Sequence, residues 1–211
     1  MNKVIGIISY LPDDKNKRNI REEKISSLID TCNELFDLPI IIVAQNWKDF
    51  TIDCCQLYKY DNPLGIIGAR NELRRIFLES GYDYLIMLDD DCEITGTTEG
   101  ASLYLSEIDD HPEMYGIFNG TLLKLFAISK EIFKEIDFGS GRVEDGDYFE
   151  DILFVNTLEQ KYKDKKFSFR KKDLIEKSNN FNDENSTWFH GQYVKREIGD
   201  RTREILKNIN R

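Results

Sequence analysis

No apolar run in the sequence approaches the ~20 residues that a membrane-spanning helix needs, so no membrane span is expected. The opening stretch, MNKVIGIISYLPDD, lacks the marks of a signal peptide. Its apolar run is short and no small-residue cleavage site follows. It reads as the first strand of a cytoplasmic chain. Cysteine is sparse, and none of Cys32, Cys54, Cys55 and Cys92 stands in C-x-x-C spacing. That argues against a zinc site and for reduced thiols. Positive charge is in deficit: 29 Lys and Arg against 39 Asp and Glu leave −10, which argues against nucleic acid as the main partner. Internal repeats and low-complexity linkers are missing too, and no composition shift marks a domain boundary.

What is present describes a soluble globular protein. Hydrophobic residues make up 40% and charged residues 32% of 211 positions, enough for one large domain with a sizeable core. The charge is uneven. Residues 160–211 hold 14 basic and 8 acidic side chains, either a solvated surface or a source of cations for an anionic ligand.

Val4 to Tyr10 is a β-branched apolar run ended by Pro12-Asp13-Asp14, hence a buried strand and its loop. Residues 15–18 read as part of that loop. Ile25, Leu28, Ile29, Cys32, Leu35 and Phe36 then recur at helical spacing. Strands follow at Ile40 to Ala44 and Cys54 to Tyr60, a helix from about Ile66 to Ser80, and a fourth strand from Tyr84 to Leu88. That order, β-α-β-β-α-β, predicts an α/β layered fold. Further on, Thr98 is placed to cap a helix. Gly116 to Ser129 reads as one or two strands broken at Asn119-Gly120, and a helix should begin near Tyr148. Phe167 to Arg170 reads as a last strand, residues 177–187 as a polar loop, and the last residues as a closing helix.

Four constellations could carry chemistry. The first is YLIMLDDDCEI, where five apolar residues run into Asp89-Asp90-Asp91. Ligands of open α/β sheets bind beyond the carboxyl ends of the strands. Three adjacent carboxylates there repel one another unless a cation intervenes, and Mg²⁺ or Mn²⁺ would take such oxygens. A solvated acidic turn explains the same triplet, and the residues alone do not choose. The spacing excludes an EF-hand, which wants glycine at the sixth position where Ile94 stands. The second is IIGARNELRR, with Arg70, Asn71 and Arg74 on one helix, suited to an anion or simply to solvent. The third is GDYFEDILF, where Glu150-Asp151 at a helix start are dipole partners or a general base aimed at an acceptor hydroxyl. The fourth is STWFHGQ, whose His190 is one of two histidines, a packed residue or a metal ligand.

In order and spacing, IISY, GARN, LDDD, FNGTLLKLFAIS, YFEDILF and WFHG resemble the GT-A class of nucleotide-sugar glycosyltransferases over roughly residues 3–192. The resemblance implies an α/β, Rossmann-like single domain with a central, mostly parallel sheet flanked by helices. Within 1–211, residues 1–95 would be the nucleotide-sugar half. Residues 96–211 would be the acceptor half with its closing loop and helix. It implies a metal-dependent hexosyltransferase that uses a UDP-sugar, with Mn²⁺ or Mg²⁺ as cofactor and a glycan or glycoprotein as acceptor. Asp91 would be the principal metal ligand, assisted by Asp89, with Asp89 and Asp90 near the ribose and His190 completing the shell. Arg70 and Asn71 would contact the nucleotide-sugar, and Ser9 and Tyr10 would border the uracil. Asp151, or Glu150, would be the base if the reaction inverts, and residues 178–190 would close over the donor. Where many members carry an acid after the second strand to read the base, this chain offers Gln45 and Asn46, with Asp49 further on. The whole chain also resembles the N-terminal glycosyltransferase domains of chlorella-virus proteins that glycosylate the major capsid protein. That implies a piece of a longer multidomain chain working in the host cytoplasm. A sugar-phosphate nucleotidyltransferase would need a Gly-rich loop after the first strand, which ISYLPDD lacks. A non-catalytic nucleotide- or carbohydrate-binding module would bind without turnover.

Overall fold

The computed structural model describes residues 1–117, 125–139, 150–169 and 175–179. Strand β1 (Lys3–Tyr10) leads into helix α1 (Lys15–Phe36). The helix takes in residues 15–18, which the sequence had suggested as loop. Asp14 starts it one turn early by accepting a hydrogen bond from the backbone N–H of Lys17 at 3.0 Å, a strong N-cap. It stops where Asp37 turns left-handed (φ 49°), just ahead of Pro39. There follow β2 (Ile40–Gln45), β3 (Gln56–Tyr60), α2 (Gly65–Glu79) and β4 (Tyr84–Asp89).

The second half holds β5 (Cys92–Gly96), α3 (Thr98–Asp109), β6 (Tyr115–Ile117), β7 (Phe126–Ser129), α4 (Lys130–Glu135), α5 (Glu150–Lys161), β8 (Lys166–Ser168) and β9 (Ile175–Asn179). Two expectations change here. The cap of α3 is Thr97, whose hydroxyl accepts from the Gly100 N–H at 3.0 Å, so Thr98 is already helical. Residues 177–179, expected in a polar loop, form the end of β9, which pairs antiparallel with β5.

Among the described residues seven strands form one sheet in the order β3-β2-β1-β4-β7-β6-β8. The first four run parallel, β7 is antiparallel to both β4 and β6, and β8 is parallel to β6. Successive side chains of a strand point to opposite faces, so each central strand feeds two cores. Ile5, Ile7, Ile40, Ile42, Ile86 and Leu88 pack with Leu28, Ile29 and Cys32 of α1 and Tyr104 and Ile108 of α3. Val4, Ile41, Val43, Leu85 and Met87 pack on the other face with Leu73 and Phe77 of α2, Phe133 of α4 and Phe154 of α5. Coverage on both faces is why these strands read as unbroken apolar runs. Gly6 lets α2 sit close: a Cβ there would lie 2.6 Å from Leu85 Cδ1 and 2.9 Å from the Leu73 methyls. Among the described residues, no helix is long and apolar enough to cross a membrane.

Candidate active site at the carboxyl edge of the sheet

From β1 the chain crosses to β2 on one side, while β4 lies on the other. The crevice above the ends of β1 and β4 is therefore a topological switch point, where open α/β sheets place ligands. Register aligns Ile8 with Asp89, Tyr10 with Gln45 and Gln45 with Tyr60. Asp89 ends β4, and Asp90-Asp91 form the turn into β5.

The three aspartates meet three different surroundings. Asp90 points inward and is buried. Its carboxylate accepts from the Ser9 hydroxyl at 2.7 Å and the Tyr10 N–H at 3.3 Å, and it pairs with the Arg21 guanidinium at 2.9 Å. Asp89 pairs with Arg70 at 3.1 Å. Asp91 lies half-buried in the turn. The repulsion expected of the triplet is thus relieved in part by two arginines of the same chain, before any added cation. For Asp90 burial still outweighs Arg21, and its carboxyl is pushed up to about 6, with Arg21 and Ser9 pulling it down and Asp91 and Asp89 adding to the rise. A ¹³C-detected titration of the Asp90 carboxyl should show a midpoint near pH 6, against ~3.9 for an exposed aspartate. Replacing Ser9 with alanine removes a hydrogen bond to the charged form, so the midpoint should move higher. A midpoint at or below 4 would contradict this account of the site.

Three polar residues of helix α2, Arg70, Asn71 and Arg74, hold neighbouring segments on the same face of the sheet. The buried Arg70 carries its guanidinium 5.6 Å from the centre of the Phe138 ring. The Asn71 side chain clamps the segment after α4, donating to the Gly139 carbonyl and accepting from the Phe138 N–H, both at 3.0 Å. Arg74 donates to the carbonyls of Phe133, Lys134 and Ile136 at 2.7–2.8 Å, closing the C-terminal end of α4. Phe138 in turn stacks on Phe154 of α5, with centroids 4.1 Å apart. Asp89, Arg70, Phe138 and Phe154 therefore link the aspartate turn to the helix that Glu150 begins. Asp151, half-buried, sits in its first turn. The structure joins Ser9 and Tyr10 to Asp90 and Arg70 to Asp89, holds Asn71 to residues 138–139, and attaches α5 through aromatic rings. His190 and most of the 178–190 segment lie outside the described residues.

The loop after β2 is fixed from below. Gln45 accepts from the Leu64 N–H at 2.7 Å through its side-chain oxygen. Asn46, left-handed at φ 57°, donates its side-chain amide to the Leu11 carbonyl at 2.8 Å and the Asp13 carboxylate at 3.1 Å. Arg18 donates to the carbonyls of Asn46 and Trp47 at 3.0 and 2.8 Å. The buried Trp47 donates its indole N–H to the Ser9 oxygen at 3.2 Å, so a single chain of bonds runs Trp47–Ser9–Asp90–Arg21. Sequence reasoning missed Arg18, Arg21 and Trp47. A signal existed: extending the α1 stripe back from Ile25 by one and two turns lands on Arg21 and Arg18, arginines where the apolar stripe continues.

No protein-family model and no curated protein matches the chain. Solved structures do match. The crystal structure of S. aureus TarS aligns with a TM-score of 0.50 and 14% identity, over 73% of this chain and 32% of that one. The fold is of the GT-A type. S. aureus TarS 1–349 in complex with UDP aligns with a TM-score of 0.48 and 16% identity, over 74% and 54% of the two chains. The glycosyltransferase GlyE of Streptococcus pneumoniae TIGR4 gives 0.47 and 15%, over 81% and 46%. The chain spans about a third to a half of the length of these three structures. The likeness is one of architecture: the α/β, mostly parallel sheet with flanking helices is the expected fold class.

Proposed function

We propose that the chain is a glycosyltransferase that moves a hexose-type sugar from a UDP-sugar to a hydroxyl of a glycan or glycoprotein, with Mn²⁺ or Mg²⁺ bound. The observation that carries this reading is the pair Asp89 and Asp91 at the switch point, flanked by Arg70 and backed by the buried Asp90. Asp89 and Asp91 offer oxygen donors only, two residues apart. That set suits a hard cation held by one or two carboxylates and completed by substrate phosphates. Among the described residues no group of three or more His, Cys, Asp or Glu is arranged to hold a metal. When bound, the ion would neutralise charge on the diphosphate. Asp91 would be its principal ligand, with Asp89 beside it and His190 as the candidate third.

The protein's own groups divide the remaining work. Arg70, held at the strand end by Asp89, offers positive charge to the departing nucleoside diphosphate. Ser9, Tyr10 and Asp90 shape the floor on which the nucleoside would rest. If the reaction inverts, Asp151, or Glu150, takes the proton of the acceptor hydroxyl as its oxygen bonds to the anomeric carbon and the diphosphate leaves. A viral capsid glycoprotein as acceptor rests on the narrower resemblance stated above. TarS 1–349 has been crystallised with UDP, which makes UDP the nucleotide to test first. Calorimetric titration with UDP should show binding that strengthens at least tenfold on adding Mn²⁺ and loses that gain in Asp91→Ala. Tight UDP binding indifferent to both the ion and Asp91 would sink the proposed site.

A further inference from the structure

At the amino-terminal end of the parallel strands, β3 is one of the two edge strands of the described sheet, and a cavity of about 590 Å³ opens between it and the last turns of α2. That size lies within the ~300–1,000 Å³ of small-molecule sites. Gln56 and Tyr58 line it from β3, Arg75, Ile76 and Glu79 from α2, and Tyr82 from the connection to β4. Its Arg75 grips the Glu72 carboxylate at 2.6 and 2.9 Å, the same group to which the Tyr60 hydroxyl donates. The remaining Arg75 nitrogen pairs with Glu79 at 2.6 Å. One guanidinium shared by two carboxylates leaves no surplus positive charge, so phosphates and other anions are not the class that fits. The floor is the apolar Ile76, which is 4% exposed. The walls are two half-buried tyrosines, and no hydrogen bond from either hydroxyl is made among the described residues.

We propose that this groove is a second, non-catalytic binding site for a neutral saccharide. A pyranose presents an apolar C–H face and a rim of hydroxyls. Tyr58 and Tyr82 supply aromatic bodies with polar tips, and Gln56 and Glu79 supply donors and acceptors at the rim. Strand β4, six residues long at ~3.3 Å per residue, separates the groove from the aspartates by roughly 16 Å. One sugar cannot therefore touch both sites, and the groove would hold a remote unit of a longer glycan or a separate chain.

The full chain is applied to a printed array of neutral and anionic oligosaccharides with EDTA present. At least one neutral oligosaccharide should be retained, and Tyr82→Ala and Gln56→Arg should each weaken its binding at least tenfold. Asp91→Ala should keep it within twofold. Gln56 is exposed at the start of an edge strand, so Gln56→Arg obstructs the groove without touching the core and decides the matter even if Tyr82→Ala melts. Retention of no neutral oligosaccharide, retention of anionic ones alone, or binding indifferent to Gln56→Arg overturns the proposal. The readout does not depend on UDP, so failure of the groove and failure of the donor site are told apart.

Discussion

Replacing Asp91 with asparagine should lower sugar transfer by about 10²–10³-fold, the usual loss when one preorganised group facing transition-state charge is removed. Folding should be nearly untouched. The side chain is half-buried in a turn at the edge of the sheet, and changes at such places stay within ~0.5 kcal/mol when no buried network is broken. The measurement is UDP release from a UDP-sugar series with Mn²⁺ present, paired with thermal melting of both proteins. An isosteric amide keeps the shape and removes the charge, so a large kinetic loss on an unshifted melt isolates electrostatics as the cause. Turnover within threefold of the wild type would mean that Asp91 does not face the donor. Raising Mn²⁺ should recover part of the lost rate if the deficit is one of ion affinity.

The second large effect concerns folding. Arg21→Ala should destabilise the protein by about 3 kcal/mol at pH 7.5, the lower end of what breaking a buried ion pair costs. The lower end applies because Asp90 keeps the Ser9 hydroxyl and the Tyr10 N–H. The loss should shrink as pH falls. Asp90 already titrates near 6 with Arg21 beside it, and without that cation its folded value rises further. A folded carboxyl that holds its proton more tightly than the unfolded one gains stability as pH drops from above the folded value toward ~4, the unfolded value. Urea unfolding of both proteins at pH 5.5 and 8 tests this. A deficit below 1 kcal/mol, or one that is equal at both pH values, would refute the assignment of Asp90 as a buried, pair-dependent carboxylate.

The parallel half of the fold was legible because its physics is local. Ile40–Gln45 and Tyr84–Asp89 are buried on both faces, and such strands declare themselves as apolar runs. Helix α1 repeats at 3 and 4 residues for the same reason. Strand β5 was missed, although Cys92 and Ile94 are buried while Glu93 and Thr95 are exposed. That alternation is only five residues long and is hidden behind three aspartates. Strand β9, IEKSN, takes its state from pairing with β5 rather than from composition. At the site, the sequence pointed to the triplet but could not rank its members. Which aspartate turns inward depends on the turn after β4 and on Arg21, 69 residues away in the chain. Asn71 and Arg74 read as a basic helix face. Their partners are backbone carbonyls and an N–H beyond position 130, and backbone groups leave no mark in a sequence.

The bond from the Trp47 indole to Ser9 also makes the protein its own optical instrument. Only two tryptophans are present, Trp47 and Trp188, so Trp188→Phe leaves a single emitter wired through one hydroxyl to the buried Asp90. A ligand settling over Ser9 and Tyr10, or a proton arriving on Asp90, would alter the field at that indole and shift its emission. Occupancy of the crevice could then be followed by stopped-flow fluorescence, with no label attached and no substrate turned over.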